Sequence, residues 1–118
     1  MSESIQQKKS AKLIQQELSE IIRTHSSLTM GTIVSVTVVR LTPDKGMAKI
    51  YITVFPDNQL EAVTARMNEH APELRRQLAS RIKNKFRIIP DIRFYEDDSF
   101  REAAKMDKIF KELEEGKE

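Results

Sequence analysis

The stretch of sequence that most constrains the fold runs from residue 73 to residue 95. In its first half an apolar side chain recurs at every fourth residue, which places a continuous stripe on one face of an α-helix. The stripe consists of Leu74, Leu78, Ile82 and Phe86. Pro90 has no backbone N–H donor and ends the helical segment, and residues 91–95 then alternate as a short strand does. The stretch therefore predicts an amphipathic helix, a break and a strand.

The same stretch carries the excess positive charge of the chain. It has seven Lys and Arg residues against two acidic residues, a net charge of +5, whereas the whole chain carries +2. A local basic surface is either a solvated helix face or a nucleic-acid footprint, and contacts to about five phosphates would make binding steeply salt-dependent. The charge alone leaves both interpretations open. The candidate phosphate ligands are Arg75, Arg76, Arg81, Lys83, Lys85 and Arg87.

A second group of basic residues lies near the start of the chain and either extends this surface or marks an exposed helical end. The group is Lys8, Lys9 and Lys12. Lys45 is interpreted as a turn residue. Three aromatic residues on predicted strands, Tyr51, Phe94 and Tyr95, are interpreted as core or sheet-surface residues, with stacking on RNA as the alternative. Because aromatic residues are few, we expect recognition of folded RNA through its backbone and shape rather than of single strands.

The rest of the chain supplies a scaffold around the basic helix. Residues 4–24 show a helical stripe, and residues 32–41 and 47–55 are rich in β-branched side chains and flank a turn around Pro43 and Gly46. In the first strand we expect Val34, Val36 and Val38 to share one face. A further helix starts near Leu60, and a joint at residues 70–73 separates it from the basic helix.

The element order is therefore α-β-β-α-kink-α-β. Two neighbouring strands form a hairpin, and the third joins their sheet after a helical crossover. This order predicts an α+β fold with a three-stranded sheet and helices on one face.

The last segment of the chain reverses the charge. Residues 96–118 contain five Lys and Arg residues against nine acidic residues. We divide the chain into an RNA-binding domain over residues 1–98 and an acidic C-terminal tail helix over residues 99–118, which either docks on the core or frays. Ser99 and Glu102 have the spacing of a capping box. A protein-interaction module that uses the tail helix rather than RNA is the alternative function.

Several kinds of chemistry are excluded or disfavoured by the sequence. The chain has no Cys, so it has no disulfide, thiolate metal site or cysteine nucleophile. His25 and His70 stand in no ligand or triad spacing, and no glycine-rich phosphate loop is present. We expect no catalysis, metal or cofactor. With no signal-peptide pattern and no apolar run of about 20 residues, we expect a cytoplasmic protein without membrane contact.

Three quoted segments carry a resemblance to a known family. They are the opening helix SAKLIQQELSEII, the hairpin TIVSVTVVRLTPDKGMAKIYITVF and the segment LRRQLASRIKNKFRIIPDIRFYEDDS. Together they resemble the ribosome-binding factor A family of bacterial small-subunit assembly proteins. The resemblance implies a single KH-like type II domain. It also implies a monomeric, non-catalytic factor that binds the free small (30S) ribosomal subunit, assists late maturation and processing of 16S rRNA, and has a role in cold adaptation.

The joint between the paired helices departs from the family pattern. RNA-binding KH domains have a G-x-x-G loop there, and the resembled family has an Ala-x-Gly kink. This chain has Ala71, Pro72 and Glu73 instead. Because an acid repels phosphate, we expect the helix face rather than the kink to contact RNA.

Overall fold

Helix α1 (Ile5–Arg23) opens the computed structural model, which describes residues 5–97 and 99. Its buried residues recur at spacings of three and four and coincide with the apolar stripe of the sequence. They are Ala11, Ile14, Leu18, Ile21 and Ile22. The one-turn helix α2 (Ser26–Thr29) follows, and Met30 and Gly31 then take left-handed backbone angles that turn the chain into the sheet.

Strands β1 (Ile33–Leu41) and β2 (Met47–Phe55) form the predicted antiparallel hairpin. The predicted face of β1 is wrong, however. The pairing register shifts between Val36 and Val38, so that Thr37 is an extra residue in β1. A bulge of this kind reverses the alternation of side chains beyond it. Val36 is therefore buried but Val38 is exposed, and Val39 and Leu41 face the core instead.

Two helices connect the hairpin to the third strand. A short 3-10 turn (Asp57–Gln59) leads into helix α3 (Leu60–Glu69), and helix α4 (Ala71–Ile82) follows after the single residue His70. The predicted joint is confirmed at its first residue. Pro72 lies in the first turn of α4, where a missing N–H leaves no helical hydrogen bond unmade.

The basic helix is shorter than its stripe predicts. Helix α4 ends at Ile82, and Phe86 lies beyond it, half-buried against the core, in a loop formed by residues 83–90. The last helical hydrogen bonds run from the N–H groups of Lys83 and Phe86 to the carbonyls of Ala79 and Ile82. Phe86 thus stays in phase with the stripe although the chain has left the helix.

Strand β3 (Asp91–Glu96) lies parallel to β2, and the sheet order is β1-β2-β3. Ile92 and Phe94 are buried, as predicted. Asn68 of α3 fixes the strand at two points: its side-chain amide donates to the Phe94 carbonyl at 2.9 Å, and its Oδ1 accepts from the Phe94 N–H at 2.7 Å. The side chain thus replaces a neighbouring strand at this residue.

The helices pack on one face of the sheet, as the element order predicts, and the fold is the KH-like arrangement that the resemblance implies. The core lies between α1, α3, α4 and the inner face of all three strands. None of the described helices has the length and apolar character needed to cross a membrane. The domain boundary at residue 98 and the tail helix fall outside the described residues except for Ser99.

Candidate nucleic-acid interface

The guanidinium group of Arg75 is engaged within the protein. Its Nε donates to the Pro90 carbonyl at 3.1 Å and lies 3.2 Å from Oδ1 of Asp91, and its Nη2 donates to the Ile89 carbonyl at 2.8 Å. Arg75 therefore joins α4 to the end of the 83–90 loop. A planar guanidinium can satisfy several acceptors of this kind at once, which a lysine ammonium cannot do with the same geometry.

Arg81 is also partly neutralised. Its Nη1 lies 3.2 Å from Oε2 of Glu17 on α1, and both side chains are partly exposed. An ion pair so open to solvent is worth little to stability. It nevertheless places a negative charge beside one of the predicted phosphate ligands.

The remaining four predicted ligands on this side of the molecule are exposed to solvent. Arg76 projects from α4, and the other three lie on the 83–90 loop rather than on a helix face. Among the residues that the structure describes, none of the four has an acidic ion-pair partner. The four are Arg76, Lys83, Lys85 and Arg87.

Three segments far apart in sequence meet at a basic cleft of about 370 Å³. The first turns of α1 form one wall, the β1–β2 turn forms a second, and the 83–90 loop forms a third. The residues of the basic cleft are Gln6, Ser10, Asp44, Lys45, Lys85, Phe86, Arg87 and Ile88. Three cations and one carboxylate thus surround an open cleft, a combination suited to a phosphate backbone.

Lys45 is the cleft residue that sequence reasoning missed as a ligand. It has a left-handed backbone with φ of 59°, and its N–H donates to the Thr42 carbonyl at 2.8 Å. The turn composition predicts a positive φ at Gly46, and this prediction is wrong, because Lys45 has the positive φ instead. The approach of Lys45 to Lys85 and Arg87 depends on tertiary packing and has no local signal.

The acid of the cleft is held by its own turn. Oδ1 of Asp44 accepts the Thr42 hydroxyl at 2.7 Å and the Gly46 N–H at 3.0 Å. These hydrogen bonds, first that from Thr42, lower the pKa of Asp44 below its ordinary value. The carboxylate is therefore charged at neutral pH, and it offsets part of the positive charge of the cleft.

The lysines of α1 do not all face the cleft. Gln6 and Ser10 line the cleft, whereas Lys8 and Lys12 share a helical face with Gln15, whose amide donates to the Val36 carbonyl of β1 at 3.0 Å. Lys8 and Lys12 therefore lie on the opposite flank of α1. Lys9 is exposed and lies between the two flanks in the helical repeat.

The kink residues lie at the other end of α4 from the basic cleft. Ala71 is half-buried, and Pro72 and Glu73 are exposed. Glu73 falls in the first turn of α4, where a negative charge interacts favourably with the helix dipole. This placement gives the acid a structural role that needs no ligand.

Each of the two histidines makes a hydrogen bond within the protein. The His25 Nε2 lies 2.9 Å from Oε1 of Gln77, and the His70 Nδ1 lies 3.0 Å from the Arg66 carbonyl. Within residues 5–97 and 99, no group of three or more His, Cys, Asp or Glu side chains is arranged to hold a metal ion.

The sequence matches the family described as ribosome-binding factor A over residues 6–110. The chain belongs to the ribosome-binding factor A family. A relative with that name from Cytophaga hutchinsonii is 37% identical over 112 residues, which cover 94% of this chain and 84% of the relative. A second, from Christiangramia forsetii, is 33% identical and covers 98% of this chain and 89% of the relative.

Solved structures of the family share the fold. The crystal structure of ribosome-binding factor A from Thermus thermophilus has a TM-score of 0.66 at 20% identity. The alignment covers 76% of this chain and 94% of the Thermus thermophilus chain. A homology model of the Thermus thermophilus protein was fitted into a cryo-EM map of a 30S complex. Its TM-score is 0.58 at 21% identity, and the alignment covers 75% of this chain and 91% of that chain. At these identities the likeness supports the KH-like fold.

Proposed function

We propose that this protein is a ribosome assembly factor that binds the free small (30S) ribosomal subunit and assists late maturation and processing of 16S rRNA. Membership of the ribosome-binding factor A family supports this role, as does the 30S complex in which the Thermus thermophilus protein was placed. We further propose that the protein acts in the cytoplasm as a monomer and has no catalytic activity.

The observation that carries the proposal is the convergence of cations at the basic cleft. Lys45, Lys85 and Arg87 come from two segments separated by some 40 residues of chain, and the exposed Lys83 lies two residues before Lys85. Contacts from such cations go mainly to phosphate oxygens and read the shape of folded RNA rather than its sequence. A folded rRNA element therefore fits the cleft better than an extended single strand does.

Arg75 and Arg81 have different roles in this proposal from the exposed cations. Arg75 positions the 83–90 loop through the Pro90 and Ile89 carbonyls. Arg81 contacts RNA only by exchanging Glu17 for a phosphate. Lys9 extends the surface along α1, and Lys8 and Lys12 lie outside it.

The test is co-sedimentation of the purified protein with free small subunits across a range of salt concentrations. The double variant Lys85→Glu/Arg87→Glu changes the net charge by four, and we expect it to abolish co-sedimentation at 150 mM salt. The matched control, Arg23→Glu/Arg66→Glu, makes the same change at exposed helical positions away from the cleft. Circular dichroism and thermal unfolding establish that both variants fold.

Equal behaviour of the two variants would show that net charge rather than the cleft governs binding. The broader set Arg76→Glu, Arg81→Glu and Lys83→Glu tests the remainder of the basic surface in the same assay. If it co-sediments normally even at raised salt, α4 and the start of the loop do not contact the subunit.

The alternative function, a protein-interaction module that uses residues 99–118, makes a distinct prediction for the same assay. Removal of residues 100–118 would then abolish binding, and binding would show no dependence on salt. We favour RNA binding at the cleft over this alternative because Lys45, Lys85 and Arg87 line one cleft in the part of the chain that the structure describes.

A further inference from the structure

The face of the sheet opposite the helices has its own ordered set of side chains. The inner face carries the buried residues of all three strands, such as Ile50 and Phe94. On the outer face the strand pairing aligns residues in transverse rows. One row is Arg40, Lys49 and Arg93, and the next is Val38, Tyr51 and Tyr95.

The first row is a line of three exposed cations. Arg40 pairs with Lys49 across β1 and β2, and Lys49 pairs with Arg93 across β2 and β3. Neighbouring strands lie about 4.8 Å apart, so the row spans roughly 10 Å at the backbone. The side chains of Arg and Lys extend this reach, which allows the row to contact two successive phosphates of an extended nucleic-acid strand.

The second row places two aromatic rings beside the cations. The ring centroids of Tyr51 and Tyr95 are 5.5 Å apart and the ring planes are inclined by 28°. The Arg93 guanidinium lies over the Tyr95 ring, with its Cζ 5.9 Å from the ring centroid, and makes a cation–π contact there. Val38 is 37% exposed and continues the row as an apolar surface. Rings and apolar surface at this position offer a platform for bases.

The acids nearest this face are engaged by other groups. Asp97 accepts hydrogen bonds from the hydroxyls of Thr37 and Ser99, and Asp91 lies 3.2 Å from Arg75. The hydrogen bonds from Ser99 and Thr37 lower the pKa of Asp97 below its ordinary value. Asp97 therefore stays charged at neutral pH and offsets part of the positive charge at this end of the face. Within residues 5–97 and 99, none of Arg40, Lys49 and Arg93 forms an ion pair with an acid.

We propose that the outer sheet face binds single-stranded RNA, with Arg40, Lys49 and Arg93 on phosphates and the Tyr51–Tyr95 pair stacked on bases. The basic cleft has no such ring pair, and none of its lining residues belongs to either row, so the two surfaces use separate sets of side chains. RNA as the nucleic acid follows from the proposed function. Binding of an isolated oligonucleotide at the sheet is independent of subunit binding at the cleft and is measured separately.

The experiment measures fluorescence anisotropy of a labelled, unstructured ten-nucleotide RNA with the full chain. The variant Tyr51→Ala should weaken binding by roughly 5- to 150-fold, the range for loss of one base stack. Tyr95→Phe keeps the ring and should stay within about twofold. The variant Arg40→Gln/Lys49→Gln/Arg93→Gln should flatten the log–log salt dependence by about 1.4, since the row contacts two phosphates and each phosphate on a single strand contributes about 0.7.

The control separates this surface from the cleft. Lys85→Gln/Arg87→Gln should bind the oligonucleotide within about twofold of the unchanged chain, although it weakens subunit binding. The proposal is overturned if the full chain does not bind the oligonucleotide, or if the cleft variant loses as much affinity as the sheet variants. The triple glutamine variant alters only exposed side chains and should fold. Its salt dependence therefore tests the proposal even if Tyr51→Ala fails to fold.

A photo-crosslinker at Val38 identifies the occupant directly. Val38, Arg40, Tyr51, Asp97 and Ser99 line the same shallow depression, and Asp97 places a negative charge in it. Because Ser99 lies at this depression, residues 100–118 are the competitor that the experiment tests. Crosslinking to the added RNA supports the proposal. Crosslinking only to residues 100–118 of the same chain overturns it.

Discussion

Helix α4 and the 83–90 loop that follows it carry similar charge but use it differently. In the helix, Arg75 bonds to the loop and Arg81 pairs with α1, whereas Lys83, Lys85 and Arg87 of the loop are exposed. The helix is anchored by an apolar stripe in the core, and the loop is held by Arg75 and the half-buried Phe86. A count of basic residues along the sequence therefore overestimates the charge that a ligand can meet.

The largest effect should come from the buried side of α4. Leu78→Ala removes a side chain with no solvent exposure and should lower the free energy of unfolding by about 3 kcal/mol. Phe86→Ala in the loop should cost less than half as much, because its ring is only partly buried. Urea denaturation of both variants measures the difference. Equal losses would mean that the loop is part of the core and is not a separately held segment.

The second prediction concerns the residue that joins the two regions. Arg75→Ala removes two hydrogen bonds to carbonyls and should lower the free energy of unfolding by about 1–2 kcal/mol, since the site is partly open to solvent. Affinity for the small subunit should also fall, through a less ordered loop. Arg75→Lys keeps the positive charge but cannot donate to both carbonyls with the same geometry. It should therefore be almost as destabilised as Arg75→Ala.

Amide hydrogen exchange distinguishes this positioning role from direct contact. Exchange of residues 83–90 should become faster in Arg75→Ala without RNA present. Unchanged exchange together with reduced affinity would instead make Arg75 a phosphate ligand, as the sequence alone predicts.

The regular elements of this fold are predictable from the sequence, and the exceptions have definite physical causes. Helix α1 and strand β2 each follow one unbroken periodicity, which local side-chain pattern is enough to reveal. The bulge at Thr37 depends on how β1 pairs with β2, and alternation along β1 alone does not contain that information. The end of α4 is hidden because Phe86 continues the stripe from outside the helix.

The candidate site is predictable in composition but not in arrangement. The excess charge of residues 73–95 is visible in the sequence, and Lys85 and Arg87 of that stretch line the basic cleft. Tertiary packing between distant segments brings Arg75 to Pro90 and brings Lys45 and Lys85 to the same cleft. The row formed by Arg40, Lys49 and Arg93 likewise requires the strand register.

A third prediction compares one cation from each region. Lys85→Gln should reduce the magnitude of the salt slope for subunit binding by about 1, the effect of one lost phosphate contact. Arg81→Gln should reduce it by clearly less, because Glu17 already neutralises part of its charge. Glu17→Gln is the matched variant: it frees Arg81 and should strengthen binding. If Glu17→Gln has no effect, Arg81 lies outside the RNA footprint.

The smallest effect concerns Asp44, the carboxylate that opposes the loop cations across the cleft. Hydrogen bonds from Thr42 and Gly46 lower its pKa, so in an NMR titration the midpoint should lie below the ordinary value of 3.8. Thr42→Ala removes the larger contribution and should raise the midpoint towards that value. A midpoint unchanged by the substitution would show that the turn does not hold the charge.

The direction of the pH dependence of stability follows from the same shift. A pKa that is lower in the folded than in the unfolded protein gives a stabilising contribution that is present above pH 3.8 and is lost as the pH falls through the folded pKa. The acid limb of the stability curve should therefore be slightly less steep in Thr42→Ala.

At neutral pH Asp44 stays ionised in both proteins, so its negative charge continues to offset the positive charges of Lys85 and Arg87. Asp44→Asn, which removes this opposition and leaves an acceptor for the Gly46 N–H, should strengthen subunit binding at low salt and have less effect at high salt.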